Sequence, residues 1–145
     1  MLSDIRGVFF DLYGTLLIYE DAKSAWSDWF SEFYRRLNEF GLNLSSEEFS
    51  GKCDMFFSKS EPDLRRDDFT VYENRINNLS HELELNLEDE DIKEIANSTA
   101  DAWHSHVSLD TNASTVLENL HSTRKLALVS NFDHPPYVHY VITKV

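Results

Sequence analysis

The chain has 145 residues, 41% hydrophobic and 13% aromatic, with a formal net charge of −13. That length carries one domain with a core, or a core plus a modest insertion, the composition excludes disorder as the main state, and the charge argues against a nucleic-acid partner by repulsion. No apolar run reaches the ~20 residues of a membrane span, and Ser3, Asp4 and Arg6 interrupt the start where a signal peptide would be apolar, so no membrane partner is expected.

The first element is Val8-Phe9-Phe10, an apolar run that enters Asp11 with no polar alternation before it. It predicts a strand buried on both faces, as in a parallel sheet, with the carboxylate at the edge where open α/β sheets bind ligands. Gly14 lets the chain turn after it, and Thr15 adds a hydroxyl. Read locally, the same residues could be a core strand with Asp11 as an ordinary cap.

Four amphipathic helices come next. From Ala22 to Phe40 the apolar positions are Trp26, Trp29, Phe30, Phe33, Leu37 and Phe40, spaced by three and four, with Gly41 placed to end the helix. Ser45 or Ser46 can cap the second helix, which presents Phe49, Cys53 and Phe56. Pro62 breaks the chain, and Asp67 or Asp68 opens the third helix, with Phe69, Tyr72, Ile76, Leu79 and Leu83 on its face. The fourth starts near Leu87 to Asp89 and presents Ile92, Ile95, Ala96, Thr99 and Trp103. Short connections predict an antiparallel bundle. Residues 18–108 carry 21 acidic and 9 basic side chains, a net of −12, against −1 for the remainder. That asymmetry separates an acidic middle region from nearly neutral ends.

A helix from about Thr111 to His121, with Val116, Leu117 and Leu120 inward, leads to a second apolar strand, Leu126-Ala127-Leu128-Val129, ending in Ser130 and Asn131. Asp133, before His134-Pro135-Pro136, is placed to cap a final helix. The lone cysteine, Cys53, sits at helical spacing with two phenylalanines and reads as a core thiol, not a nucleophile. It cannot form an internal disulfide, which suits a reducing, cytoplasmic setting. Asp101, His104 and His106 read as a solvated helix end, since a metal site there lacks further ligands.

The Asp11-Leu12-Tyr13-Gly14-Thr15 motif after one strand, followed by Ser130-Asn131 after another, resembles the haloacid dehalogenase (HAD) superfamily of aspartyl-nucleophile hydrolases. The matched motifs cover about twenty residues. The resemblance implies an α/β, Rossmann-like core with a parallel sheet, of which the first two strands are here. It also implies a helical cap inserted after the first strand. Residues 1–17 and 109–145 would form the partial core, and 18–108 the cap.

Asp11 would then be the nucleophile, with Tyr13, Thr15, Ser130 and Asn131 binding substrate. Superfamily phosphatases carry a second Asp two positions after the nucleophile, which protonates the leaving oxygen. Tyr13 stands there, as in the dehalogenases, whose halide leaves without a proton. A dehalogenase acting on a small halo-acid would need no cofactor. A phosphatase acting on a phosphate ester would call on Mg²⁺ held by Asp11, the Tyr13 carbonyl and a later acid.

The dehalogenases grip the substrate carboxylate with a cap arginine, for which Arg35, Arg36, Arg65, Arg66 and Arg75 are candidates by type. The family lysine beyond the second strand has no counterpart, because Lys144 follows no third strand. The chain is therefore expected to be truncated relative to the family, inert by itself and prone to self-associate through its incomplete sheet. A third reading is a binding module that keeps the start of the fold without its catalysis.

Overall fold

Backbone hydrogen bonding sorts the chain into four short strands and six helices in the computed structural model, which describes residues 5–61 and 65–144. Their order is β1 (Gly7–Phe10), β2 (Leu17–Tyr19), α1 (Ala22–Glu39), α2 (Ser46–Cys53), α3 (Val71–Glu82), α4 (Asp89–His104), β3 (Val107–Leu109), α5 (Ala113–His121), β4 (Lys125–Leu128) and α6 (Pro135–Ile142). Pro62, expected to break the chain, lies outside the described residues. The chain divides into two compact units. One runs to Ala22 and resumes over His106–Asn131, and the other holds Lys23–Ser105 and Phe132–Lys144.

In the sheet unit, β1 and β4 pair in parallel, Gly7 with Lys125 through Phe10 with Leu128. Val129 N–H donates to the Phe10 carbonyl at 2.8 Å and Lys125 N–H to the Arg6 carbonyl at 3.0 Å, extending the ladder at both ends. Helix α5 packs on β4. The strands are not buried on both faces, as their apolar run predicted. Burial alternates with the pleat: Val8, Phe10, Leu126 and Leu128 are half-buried, while Phe9 is 75% and Val129 57% exposed. Among the described residues only two strands and one helix build this layer, so one face stays open. Within α5 it is Ala113 that is buried, and Val116 points outward.

A second pairing is one the apolar pattern did not signal. β2 and β3 form an antiparallel ribbon with Leu17 opposite Leu109 and Tyr19 opposite Val107. Asp110 N–H donates to the Leu16 carbonyl and Glu20 N–H to the His106 carbonyl, at 2.8 and 3.0 Å. The chain thus leaves and rejoins the sheet unit through two hydrogen-bonded strands.

The helical unit has its own core. Trp29, Phe33 and Leu37 of α1, Phe49 and Cys53 of α2, Phe56, Tyr72, Ile76 and Leu79, and Ile92, Ile95 and Ala96 of α4 are buried in one cluster. Phe33 is its hub, with ring centroids of Trp29, Phe49 and Phe56 at 5.2, 5.4 and 5.7 Å. Polar groups inside are satisfied: Trp29 Nε1–H donates to the Tyr72 hydroxyl at 2.7 Å, which donates to Thr99 Oγ1 at 2.5 Å, which donates to the Ile95 carbonyl at 2.7 Å. Burial pushes the Cys53 thiol up to about 12, which fits a core thiol.

Local signals set the helix ends. Gly41, at φ +88°, closes α1: its N–H donates to the Asn38 carbonyl and Leu42 N–H to the Leu37 carbonyl. Ser45 and Glu48 form a reciprocal capping box at α2. For α3 the cap is Thr70 with Glu73, not Asp67 or Asp68, and Asp68 is instead held by Arg66 at 2.6 Å. Asp133 does not cap α6 either. His134 occupies that position, Pro135 begins the helix, and Asp133 pairs with Arg75 at 3.2 Å. Residues 132–144 group with the helices, whereas the family resemblance implied a core of 1–17 and 109–145.

The two exposures of Phe33 and Phe9 predict opposite outcomes. Phe33→Ala should cost about 3–5 kcal/mol by opening a cavity at the hub. Phe9→Ala should stay within about 0.5 kcal/mol at concentrations where the chain is monomeric, as an exposed position does. Denaturant unfolding followed by helical circular dichroism checks both, and equal losses would contradict the open face.

Candidate functional site

The site is assembled by the parallel register. Asp11 is the first residue past β1 and Ser130 comes after Val129 past β4, so both lie at the carboxyl ends of two neighbouring parallel strands. Extending the register by one step sets Asp11 opposite Val129, one residue before Ser130. This is the sheet edge at which open α/β folds present their ligand-binding groups.

Beyond Asp11 the chain makes a tight turn built on Leu12. The Leu12 side chain is buried, and its carbonyl accepts the N–H groups of Thr15, Leu16 and Leu17 at 3.4, 3.0 and 2.9 Å. Gly14 N–H donates to the Leu17 carbonyl at 2.6 Å, and its φ of +83° is one that L side chains rarely adopt. No heavy atom lies within 4 Å of where a Cβ would stand, so glycine is required there by conformation and not by space. With the backbone groups turned inward, the side chains of Asp11 and Thr15 are left exposed.

Tyr13 is half-buried, its ring stacked on Tyr19 at a centroid distance of 6.2 Å and an interplanar angle of 18°. Burial, and secondarily the neighbouring Tyr19 phenol, raise the Tyr13 hydroxyl well above the ordinary tyrosine value. It therefore stays protonated and gives up its proton reluctantly at neutral pH. Ser130 is half-buried and Asn131 exposed. The five residues singled out in the sequence all belong to the sheet unit, Asp11, Tyr13 and Thr15 on one strand-end loop and Ser130 and Asn131 on the other.

The arginines of the helical unit are engaged with carboxylates there. Arg35 binds Glu32 at 2.8 Å and also Glu39, and Arg36 binds Glu39 and Glu94 at 3.1 and 3.0 Å. Arg65 holds Glu61 at 2.7 Å, and Arg66 holds Asp68 and Asp89 at 2.6 and 2.5 Å. Arg75 is buried, bound to Asp133 and to the carbonyl of Lys59 at 2.7 Å. Asp101 accepts the Tyr137 hydroxyl at 2.6 Å, and the His104 ring lies edge-on to Tyr137 at 5.8 Å, so both serve the packing of α4 against α6.

A Mg²⁺ ion at this edge would take the Asp11 carboxylate and the Tyr13 carbonyl. The described residues contain no group of three His, Cys, Asp or Glu that could hold a metal, so they do not supply the third acid. Sequence reasoning missed the β2–β3 ribbon, whose strands are three residues each and too short to show a period. It also missed the polar cluster around His134, formed by residues far apart in sequence.

No family model matches the chain, and no curated protein does. Among solved structures, a HAD family enzyme of Bacteroides thetaiotaomicron is similar, at 18% identity over 92% of this chain and 58% of that one, with a TM-score of 0.48. The same enzyme in complex with magnesium and inorganic phosphate gives 19% identity over 89% and 54%, with a TM-score of 0.44. A protein described as a predicted phosphoglycolate phosphatase from Haemophilus somnus gives 20% over 88% and 51%, with a TM-score of 0.38. The chain therefore spans little more than half the length of these structures. No helix among the described residues is long and apolar enough to cross a membrane.

Proposed function

We propose that this chain carries the nucleophile half of a HAD-type hydrolase, with Asp11 as the attacking carboxylate and a small 2-halo acid as substrate. The observation that carries the reading is the exposed Asp11 at the carboxyl end of β1, one register step from Ser130, with a phenol two residues on where a leaving-group acid would be needed. A carboxylate is a weak nucleophile, made effective by holding the substrate in line. An Asp11 oxygen attacks the carbon bearing the halogen, the C–halogen bond breaks, and the halide leaves with the bonding electrons. Water then adds to the carbonyl carbon of the aspartyl ester, releasing the 2-hydroxy acid, a proton and the free Asp11 carboxylate. In this reading Thr15, Ser130 and Asn131 hold the substrate's oxygens, Tyr13 lines the site without donating its proton, and residues 18–108 act as the cap that excludes water.

A second reading is hydrolysis of a phosphate ester. The similar structures named for magnesium with phosphate and for a phosphatase favour it, and Tyr13 speaks against it, since an alkoxide leaving group needs a proton. Both readings require a lysine and further acids downstream of β4. The open face around Phe9 supports a further proposal, that the chain as it stands pairs with a second copy there.

In a protein that joins this chain to those downstream groups, a screen for released halide and released phosphate separates the two chemistries. Halide release that falls at least 10³-fold in Asp11→Asn is expected, since the amide has no nucleophilic charge. Undiminished turnover in that variant would remove Asp11 from the mechanism. For the chain alone, sedimentation velocity should show a dimer that Phe9→Lys returns to monomer, and a wild-type monomer at all concentrations would refute the pairing.

A further inference from the structure

His134 is 1% exposed and stands at the N-cap of α6, three residues after the chain leaves the sheet unit. Its Nε2 lies 3.1 Å from Asn97 Oδ1 on α4, and its Nδ1 lies 3.0 Å from Thr70 Oγ1 at the start of α3. The ring is edge-on to Tyr72 at 5.8 Å. An amide oxygen only accepts, so Nε2 carries the ring proton and Nδ1 accepts the Thr70 hydroxyl. The same hydroxyl oxygen accepts the Glu73 N–H at 3.2 Å. Both ring nitrogens are thereby satisfied in the neutral form. A second proton would enter at Nδ1, against the hydroxyl hydrogen of Thr70, and would place a full charge out of reach of water.

The charged groups on the segments packed against the ring are engaged elsewhere. From α3, Glu73 Oε1 lies 4.0 Å from Nδ1, while its Oε2 accepts the Thr70 N–H at 2.7 Å in the capping box. From α4, Asp101 is taken by the Tyr137 hydroxyl, and His104 packs on the Tyr137 ring. In the histidine's own segment, Asp133 is paired with Arg75. Burial outweighs the attraction of Glu73, so His134 titrates below the ordinary histidine value of 6.5.

Around this ring residues 132–144 are strapped to the helices. The Asp133 carbonyl accepts the Tyr72 N–H at 3.1 Å, Tyr137 reaches Asp101, and Tyr137, Val138 and Val141 are buried. We propose that His134 is a pH-sensitive latch: it holds the strap formed by residues 132–144 on α3 and α4 while its imidazole is neutral, and lets it go when the ring takes a second proton. Because the docked ring resists protonation and the released ring does not, docking is full above the ordinary histidine range and weakens as pH falls through it. Ser130 and Asn131 immediately precede the strap in the sequence. The latch does not depend on what Asp11 does.

Hydrogen exchange on the full chain between pH 7.5 and 5.0, corrected for intrinsic rates, tests it. The α6 amides should lose protection relative to those of α1, by up to about tenfold per pH unit within the titration window. In His134→Asn the α6 amides should be less protected at pH 7.5 and insensitive to pH. Nitrogen NMR of the wild-type imidazole, which needs no variant, should find the neutral Nε2–H tautomer at pH 7.5 and a titration coincident with the loss. Protection of α6 that tracks α1 at every pH, a pH dependence that survives in His134→Asn, or a ring already charged at pH 7.5 would each overturn the latch.

Discussion

The N–H of Val129 donates to the carbonyl of Phe10, and this bond completes the parallel pairing of β1 with β4. Nearly the whole chain lies between the two strands, so the loop-closure entropy is large and must be met by the ladder and by what packs on it. The reward is chemical placement. Parallel strands end at the same edge, and the residues just past them, Asp11 on one and Ser130 on the other, are brought to that edge together. A one-residue slip of β1 along β4 would exchange its half-buried Val8 and Phe10 for Phe9, and would change which residue past β4 stands level with Asp11. The site therefore depends on the register more than on any single side chain within it.

The helical unit obeys a different logic. Its core is rich in aromatic rings centred on Phe33, with the hydroxyls of Tyr72 and Thr99 and the indole of Trp29 linked in one chain. Its surface is acidic, and its arginines are drawn into pairs with that surplus of carboxylates. Exposed pairs such as Arg35–Glu32 contribute little to stability. Arg75 differs, because it is buried and ties α3 both to the carbonyl of Lys59 and to Asp133. Leaving it without Asp133 would strand a charge away from water.

The sequence made the helices and strands β1 and β4 legible because each carries a period or an unbroken apolar run. The faces of Trp29, Phe33 and Leu37, of Tyr72, Ile76 and Leu79, and of Ile92, Ile95 and Thr99 are buried as their spacing predicts. The placing of Asp11 and Ser130 at one sheet edge was equally readable, since each ends its strand. Other features were not. Burial on both faces of β1 was inferred from an apolar run, but a run states only what a residue can bury, not whether a neighbour comes to cover it. The start of α3 was misplaced because Asp67 and Asp68 are as good caps in isolation as Thr70, and the reciprocal bond with Glu73 decides between them. The placement of 132–144 turned on His134, Asp133 and Tyr137 meeting Thr70, Asn97, Arg75 and Asp101, partners that no local window contains.

The register itself can be measured without any activity. Phe9 and Ala127 are Cα partners on the open face, and parallel neighbours lie about 4.8 Å apart, within the range a disulfide spans. In a Cys53→Ser background, Phe9→Cys combined with Ala127→Cys should form an intramolecular disulfide under mild oxidation, and Phe9→Cys combined with Ser122→Cys should not. A 9–127 pair that stays reduced in the folded chain, or that links no faster than the 9–122 pair, would contradict the parallel register on which the candidate site is built.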